Sequence, residues 1–498
     1  MPHPLPLIPY PSDVVMLDGL FRNSRRFSLS LERSCDQSFA DSAVQYAKEL
    51  LDRDACLASS KEAANLSIRV EPSLHDKEEA YTLEVLPQSV RVGASGHQGL
   101  FYALQTLRQL QLAYPQSIPC CRIDDSPSLR WRAFMLDVAR SFCPVGEIRR
   151  IIDIMASFKL NALHLHLSDD QGWRVAFDAY PELGDEKSGQ YTKQELKELV
   201  EYASVRQIMI IPEIDMPGHV TALLAAYPAL SCTGGPFSIP KGEGIFPDIL
   251  CVGKEETLDV VKMVLKEIAS LFPSPYIHLG GDEIPLERWA TCPDCQKRKQ
   301  ALALSDEKSL LRWFYREMTH YANSLGKQVL LYNDYVDDTY DQSIIIQIWN
   351  PLLDGSQSEH QAILSDYFHS YLDMDHTLLS LHRVYKLGEM LQPGNQARVM
   401  GAELMLWTEY ISTREERDQH LFPRLLAGSE IFWTRKDMHE YHRFLGTCSQ
   451  YGKLFLPPNT SITPRHAWDP PLIRQFISRW KRKRRVKRNS KMAGISFA

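Results

Sequence analysis

The stretch LFPSPYIHLGGDEIPLERW, residues 271–289, runs largely apolar to Leu279, turns on Gly280 and Gly281, and then sets down two carboxylates, Asp282 and Glu283. Charge at the end of a buried strand is costly unless it is paired or used. The run is one of eight short apolar segments in the chain. The others are FMLDV (134–138), ALHLHLS (162–168), IMIIPEI (208–214), QVLLYN (328–333), IIIQIW (344–349), FHSYL (368–372) and VMGAELMLW (399–407). Amphipathic stretches such as TKQELKELVEYASVRQ (192–207) separate most of them. Strands this apolar suit parallel pairing with both faces buried. Eight of them alternating with helices predict a (β/α)8 TIM barrel over residues 123–450.

Residues 1–122 predict a small N-terminal α/β domain. RFSLSLE (26–32), NLSIRVEP (65–72) and AYTLEVLPQSVRVGAS (80–95) read as strands. SFADSAVQYAKELL (38–51) has helical spacing behind a capping serine. GHQGLFYALQTLRQLQ (96–111) is a helix with Leu100, Leu104 and Leu107 on one face, and YPQSIPCCRIDDSPS (114–128) is turn-rich and marks the boundary. Residues 451–498 form a C-terminal extension whose end, RWKRKRRVKRNSK (479–491), holds nine Lys/Arg and no acid. It reads as a solvated, disordered tail, with no nucleic-acid partner expected.

The 498 residues are 44% hydrophobic and 24% charged, with net charge −6, as in an ordinary globular protein. No apolar run reaches the roughly 18–20 residues of a membrane helix, so no membrane partner is expected. The start, MPHPLPLIPYPSDVV, lacks a basic region and an unbroken apolar core, and so does not read as a secretory signal. Ten cysteines, scattered except for Cys120–Cys121 and Cys292-Pro-Asp-Cys295, predict reduced thiols and a cytoplasmic setting.

In a barrel of this kind the active site lies at the C-terminal strand ends. Read in order, those ends carry Asp137 and Arg140; Asp169 and Asp170; Glu213, Asp215 and His219; Asp282 and Glu283; Tyr332 and Asp334; Trp349 and Asn350; Tyr371 and Asp373; Trp407 and Glu409. One strand-end acid alone is commonly a helix cap. All eight ends polar or aromatic is a different matter. Carboxylates and an arginine bind hydroxyls through charge-assisted hydrogen bonds, and aromatic faces suit the apolar side of a pyranose, so the set describes a sugar site.

Two acids adjacent in sequence are poorly placed to clamp a glycosidic bond from opposite sides, about 5 Å apart, as in common retaining glycosidases. They suit substrate-assisted hydrolysis, in which the sugar's 2-acetamido oxygen is the nucleophile. One acid then protonates the leaving oxygen, while the other orients the acetamide and stabilises the positive charge that forms. Closely spaced carboxylates also raise one pKa, as an acid catalyst needs.

HLGGDE, WRAFMLDVARSF (131–142), NALHLHLSDDQGW (161–173), PEIDMPGH (212–219), IIIQIWN, SYLD (370–373) and GAELMLWTEY (401–410) together resemble the ordered blocks of glycoside hydrolase family 20, the β-N-acetylhexosaminidases. The resemblance runs from about residue 25 to 450. It implies a retaining, exo-acting enzyme that removes terminal β-linked GlcNAc, with GalNAc left open, and needs no cofactor or metal. It also implies roles. Glu283 would be the acid/base, Asp282 would hold the acetamido N–H and Tyr371 its oxygen, and Trp349 and Trp407 would wall the acetamide pocket. Arg140 and Glu409 would bind the 3- and 4-hydroxyls, Asp373 an outer hydroxyl, and Asp169 with His219 would support the acid. Tyr332 departs from the tryptophan many relatives carry, which puts its part in that wall in doubt. A homodimer is left open, since partner loops often complete such sites.

Two other function classes compete. His164-Leu-His166 with Asp169 places two histidines on one strand face, as in some zinc-dependent barrel hydrolases; that reading leaves the GGDE block unexplained. A glycan-binding relative that has lost catalysis would lack one of the acids, and both are present. Cys292-Pro-Asp-Cys295 has zinc-knuckle spacing but no second pair at a matching interval, and reads as a loop feature. Cys232 and Cys251 bracket an 18-residue loop, and whether they pair in an exported protein is left open by the sequence.

Overall fold

The computed structural model describes residues 4–478 apart from 23–26, 32–36, 52–53, 60–63, 71–76, 185–188 and 392–397. The basic tail therefore lies outside the described residues.

The N-terminal domain is a seven-stranded sheet of β1 (Asp13–Arg22), β2 (Ser28–Leu31), β3 (Cys56–Leu57), β4 (Leu66–Val70), β5 (Tyr81–Val85), β6 (Val90–Ala94) and β7 (Ser117–Asp125). Its order is β1-β7-β5-β6-β4-β2-β3. Alternation is the organising pattern: Leu66, Ile68, Leu83, Val90 and Val92 are buried, while Arg69 and Arg91 face out. Helix α2 (His97–Ala113) packs on β5 and β6 and against α1 (Gln37–Leu50). The segment expected as a turn-rich boundary contains β7, paired antiparallel to both β1 and β5. Its alternation is masked in sequence because Cys120 and Cys121 are both buried.

The barrel strands are β8 (Trp131–Asp137), β9 (Ala162–His166), β12 (Met209–Glu213), β13 (Tyr276–His278), β14 (Gln328–Tyr332), β15 (Ile345–Ile348), β16 (Ala362–Leu364) and β17 (Val399–Leu406). A short hairpin, β10 (Ser168–Asp169) and β11 (Gly172–Trp173), follows β9. All eight barrel strands pair in parallel, and β17 closes on β8. Helices α3 (Val145–Ser157), α4 (Lys193–Ser204), α5 (Thr221–Ala226), α6 (Glu255–Leu271), α7 (Glu287–Thr291), α8 (Pro293–Ala301) and α9 (Glu307–Ser324) fall between the first five. Helix α4 shows why they form. Thr192 accepts the Glu195 N–H while Glu195 reaches back to Thr192, satisfying two orphan donors. Leu196, Leu199 and Ala203 then turn one face to the barrel.

The seventh strand corrects the sequence reading. It is Ala362–Leu364; FHSYL is instead a single helical turn, Tyr367–Ser370, followed by Tyr371, which bridges to Met405. A three-residue apolar run is too short to stand out, and FHSYL imitates period-two alternation.

Inside the barrel, Trp131, Ala133, Ala162, Ile211, Leu330, Ile345 and Ile363 make an apolar plug. His164, His166, Glu213, His278, Gln347 and Glu403, all buried, form a polar lumen nearer the C-terminal strand ends. The two domains are riveted by Arg132, which is fully buried. It donates to Glu79 of the N-terminal domain at 2.5 and 3.2 Å, to Leu129 O and Lys159 O at 2.8 Å, and lies over the Trp433 ring. Asp125 answers from β7, accepting from Lys159 Nζ at 3.0 Å and Trp433 Nε1 at 2.9 Å. Glu79→Ala leaves the buried guanidinium uncompensated, so unfolding free energy is expected to fall by about 3 kcal/mol. Urea denaturation of the two proteins checks this.

Candidate active site

The chain crosses the end of β13 by an unusual backbone path. Gly280 and Gly281 have φ of +64° and +101°, and Glu283 also sits in the left-handed region at +49°. A Cβ on Gly280 would lie 1.7 Å from Asp215 Oδ1. Glycine is therefore required there both by conformation and by space. Asp215 Oδ1 accepts the Gly281 N–H at 3.1 Å, and Asp334 Oδ1 accepts the Glu283 N–H at 3.1 Å. These two bonds hold a residue that would otherwise relax out of a conformation costing on the order of 1 kcal/mol or more.

The path delivers Asp282 and Glu283 to a cavity of about 720 Å³ at the C-terminal strand ends. Arg140, His219, Trp349, Tyr371, Asp373, Trp407 and Glu409 line it with them, as do Glu243, Tyr367 and Tyr410. Nine of the eleven anticipated residues thus meet around one space. Asp169 lies directly behind them. Tyr332 does not line the cavity: it is 1% exposed, its ring packs 4.5 Å from His278, and its hydroxyl is 3.5 Å from Glu213. As the last residue of β14 it lies between the lumen and the cavity wall, 6.5 Å from the Trp407 ring, so the part left in doubt by its departure from tryptophan is one of support from behind.

Glu283 keeps 40% of its side chain exposed, toward the cavity. Withdrawal from bulk water by the walls, and then the Asp282 charge, raise its pKa to about 7. His219 Nε2 lies 3.9 Å from Glu283 Oε2. Asp282 Oδ1 is buried with no hydrogen-bond partner among the described residues. A buried acceptor left open in this way is suited to a donor brought by a ligand. Asp334 is also raised to about 7, by burial and by Asp282, and accepts the Trp349 Nε1–H at 2.6 Å. Sequence reading places Asp215 and Asp334 at strand ends but gives them no role; their work lies in cross-strand hydrogen bonds that spacing does not reveal.

Behind the acid pair stands a charge network. Asp169 binds Arg140 at 2.6 Å, His166 at 2.7 Å and His219 at 3.2 Å. Burial opposes its ionisation, but Arg140 and His219 hold its pKa far below the ordinary carboxylate range. Asp137 accepts the N–H groups of Ala139, Arg140 and Thr408, tying the tops of β8 and β17 together. Arg140 lies 4.8 Å over the Trp407 ring. Glu409, facing Arg140, has a pKa raised by burial and restrained by that guanidinium.

The H-x-H pair faces inward as period two predicts, but its nitrogens are spent on carboxylates. His164 meets Glu403 at 2.8 Å and Glu213 at 3.1 Å; His166 meets Glu213 at 2.5 Å. Against burial, Glu403 and Glu213 raise His164 to about 9, and Glu213 raises His166 well above the ordinary value. Both histidines thus sit in a buried core of mixed charge, each held against carboxylates.

The opposite wall is aromatic. Tyr371 lies between Trp349 and Trp407, with ring centroids 6.4 and 6.2 Å away. The rings line the same cavity as Asp282.

The model of glycosyl hydrolase family 20, catalytic domain, matches residues 129–436, and that of domain 2 of the same family matches 5–126. A β-hexosaminidase of Akkermansia muciniphila is 33% identical over 401 residues, 74% of this chain and 81% of that protein. One of Porphyromonas gingivalis is 34% identical over 419 residues, 76% of this chain; the chain spans about half of it, 54%. Among solved structures, an exo β-N-acetylglucosaminidase of Vibrio harveyi in complex with N-acetylglucosamine superposes with TM-score 0.81 at 26% identity, covering 93% of this chain and 79% of that one. The β-N-acetylhexosaminidase of Streptomyces coelicolor superposes with TM-score 0.79 at 29% identity, covering 94% and 99%. With both of its domains matched, and with relatives of this identity, the chain belongs to glycosyl hydrolase family 20, the glycoside hydrolases that include these β-hexosaminidases.

Proposed function

We propose that the cavity takes a terminal, non-reducing β-linked N-acetylhexosamine and hydrolyses its glycosidic bond with retention, using the substrate's own acetamide as nucleophile. The observation that carries this reading is the pairing of two unlike carboxyl groups on consecutive residues. Glu283 has a pKa near 7 and faces the cavity, while Asp282 presents a buried, unpartnered oxygen beside an aromatic box. The solved relative bound to N-acetylglucosamine supports the same substrate class.

In the first step the acetamido oxygen forms a bond to C1 as the bond from C1 to the leaving oxygen breaks. Glu283 gives its proton to that oxygen. Asp282 accepts the acetamido N–H, aligning the nucleophile and offsetting the positive charge of the oxazolinium. The tryptophan walls enclose the acetamido methyl, and the Tyr371 hydroxyl faces its oxygen. In the second step Glu283 takes a proton from water, the water oxygen bonds to C1, and the ring C–O bond opens. Two inversions leave the β configuration. Arg140, Glu409 and Asp373 are the polar groups left for the outer hydroxyls.

Glu283→Gln is expected to lower kcat on an aryl N-acetylglucosaminide at least ~100-fold, the low end for loss of a general acid; residual activity within a few-fold of the parent would sink the assignment. Because Glu283 must be protonated to act, kcat/KM should decline as pH rises through about 7. Asp282→Asn removes the neighbouring negative charge, so the alkaline limb of its residual activity should move to lower pH, which a pH–rate profile reads directly. An acetamide nucleophile also requires that the aryl β-glucoside, lacking the acetamide, is not cleaved, and that a thiazoline mimic of the oxazoline inhibits far below substrate concentrations. Cleavage of both glycosides would point to a nucleophile on the protein instead.

A further inference from the structure

Four cysteines from three separate segments converge beside the active-site loops. Cys232 and Cys251 bracket the loop that follows α5, and Cys292 and Cys295 open α8. Their sulfurs lie 3.8 Å apart for Cys232 and Cys295, 3.6 Å for Cys251 and Cys292, and 3.6 Å for Cys251 and Cys295; all four fall within 4.8 Å of one another. A disulfide joins two sulfurs at about 2.05 Å. Here Cys251 stands 3.6 Å from two others, and Cys295 stands 3.6 and 3.8 Å from two. Tetrahedral Zn²⁺ with bonds of about 2.3 Å sets sulfurs roughly 3.8 Å apart, which is the spacing seen.

The surroundings suit an anionic cluster. Cys251, Cys292 and Cys295 are buried and Cys232 is half-buried. Cys292 is the N-cap of α8 with Pro293 in its first turn, so two of the sulfurs sit at the positive end of that helix. A Cβ on Gly253 would lie 2.3 Å from Cys295 N, so the backbone after Cys251 packs directly on the Cys292–Cys295 turn. Arg298 donates to Gly253 O at 3.1 Å, and Lys254 to Ser231 O at 2.8 Å, placing two cations on the segments that carry the thiols.

We propose that Cys232, Cys251, Cys292 and Cys295 hold a structural Zn²⁺ that staples the 232–251 loop to the segment following the catalytic pair. Each thiol releases its proton to solvent as its metal–sulfur bond forms. Four protein ligands leave no open position, so the ion takes no part in hydrolysis. Its effect reaches the cavity through the loop. Glu243 lines the rim, and Gly242 O accepts from Gln171, whose side-chain oxygen in turn accepts from Arg140 Nε at 3.2 Å.

The test is metal analysis of the full chain, purified under reducing conditions without chelator. About one zinc per chain is expected, with Cys232→Ser and Cys295→Ser each losing most of it. Cobalt exchanged into the parent protein should show the visible bands of tetrahedral thiolate coordination, a readout that does not depend on the variants folding. Withdrawing the metal should lower Tm and raise KM more than it lowers kcat. A parent protein with no bound metal and four titratable thiols would overturn the proposal. So would an intact mass short of two hydrogens per disulfide, iron in place of zinc, or zinc retained by both variants.

Discussion

One carboxylate, Asp169, organises the site. It sits at the end of the second barrel strand with a guanidinium and two imidazoles on it: Arg140, His166 and His219. Each of these partners has a second obligation. Arg140 crosses the Trp407 ring and faces Glu409, His219 approaches Glu283, and His166 passes the charge inward to Glu213 and so to His164 and His278. Buried charge is tolerable only in such alternation of sign. Replacing Asp169 by a neutral group would take from Arg140, His166 and His219 the carboxylate they share beneath the cavity floor, and lower the pKa of both imidazoles. The geometry of the sugar-binding face is in this sense a by-product of solving the barrel's internal electrostatics.

Above that floor the problem is the opposite one, how to keep a proton on a carboxyl near neutrality. Two devices combine. The cavity walls thin the water around Glu283, and Asp282 adds a like charge on the neighbouring residue. The backbone contributes by placing both side chains from consecutive positions through two glycines and a left-handed glutamate, a shape held by Asp215 and Asp334. Of these two acids, Asp215 pins the glycine turn, and Asp334 joins the Asp282–Glu283 segment to Trp349.

Much of this is legible in the chain because parallel barrel strands are buried on both faces and announce themselves as unbroken apolar runs. Once the strands are placed, their ends name the site, and nine of the eleven anticipated residues line one cavity. The failures have physical causes too. Ala362–Leu364 is too short to outweigh the alternating stretch after it, and the paired burial of Cys120 and Cys121 breaks the period that would have marked β7. Tyr332 is named correctly as a strand end, but facing inward or upward is decided by a shift of one layer that no spacing records. The cysteine cluster is half legible: Cys292-Pro-Asp-Cys295 shows its spacing, but Cys232 and Cys251 lie 41 or more residues before it, and only the fold brings the four within 4.8 Å.

The polar lumen has a thermodynamic consequence of its own. Unfolding exposes apolar surface, which raises heat capacity, and polar surface, which lowers it. Around the barrel's outside, the strands and helices meet through aliphatic side chains; near the top of its interior, histidines and carboxylates meet instead. Exposure of the interior layer beneath the active site therefore subtracts from the heat-capacity change that the aliphatic shell around it adds, and flattens the stability curve of the barrel as a whole.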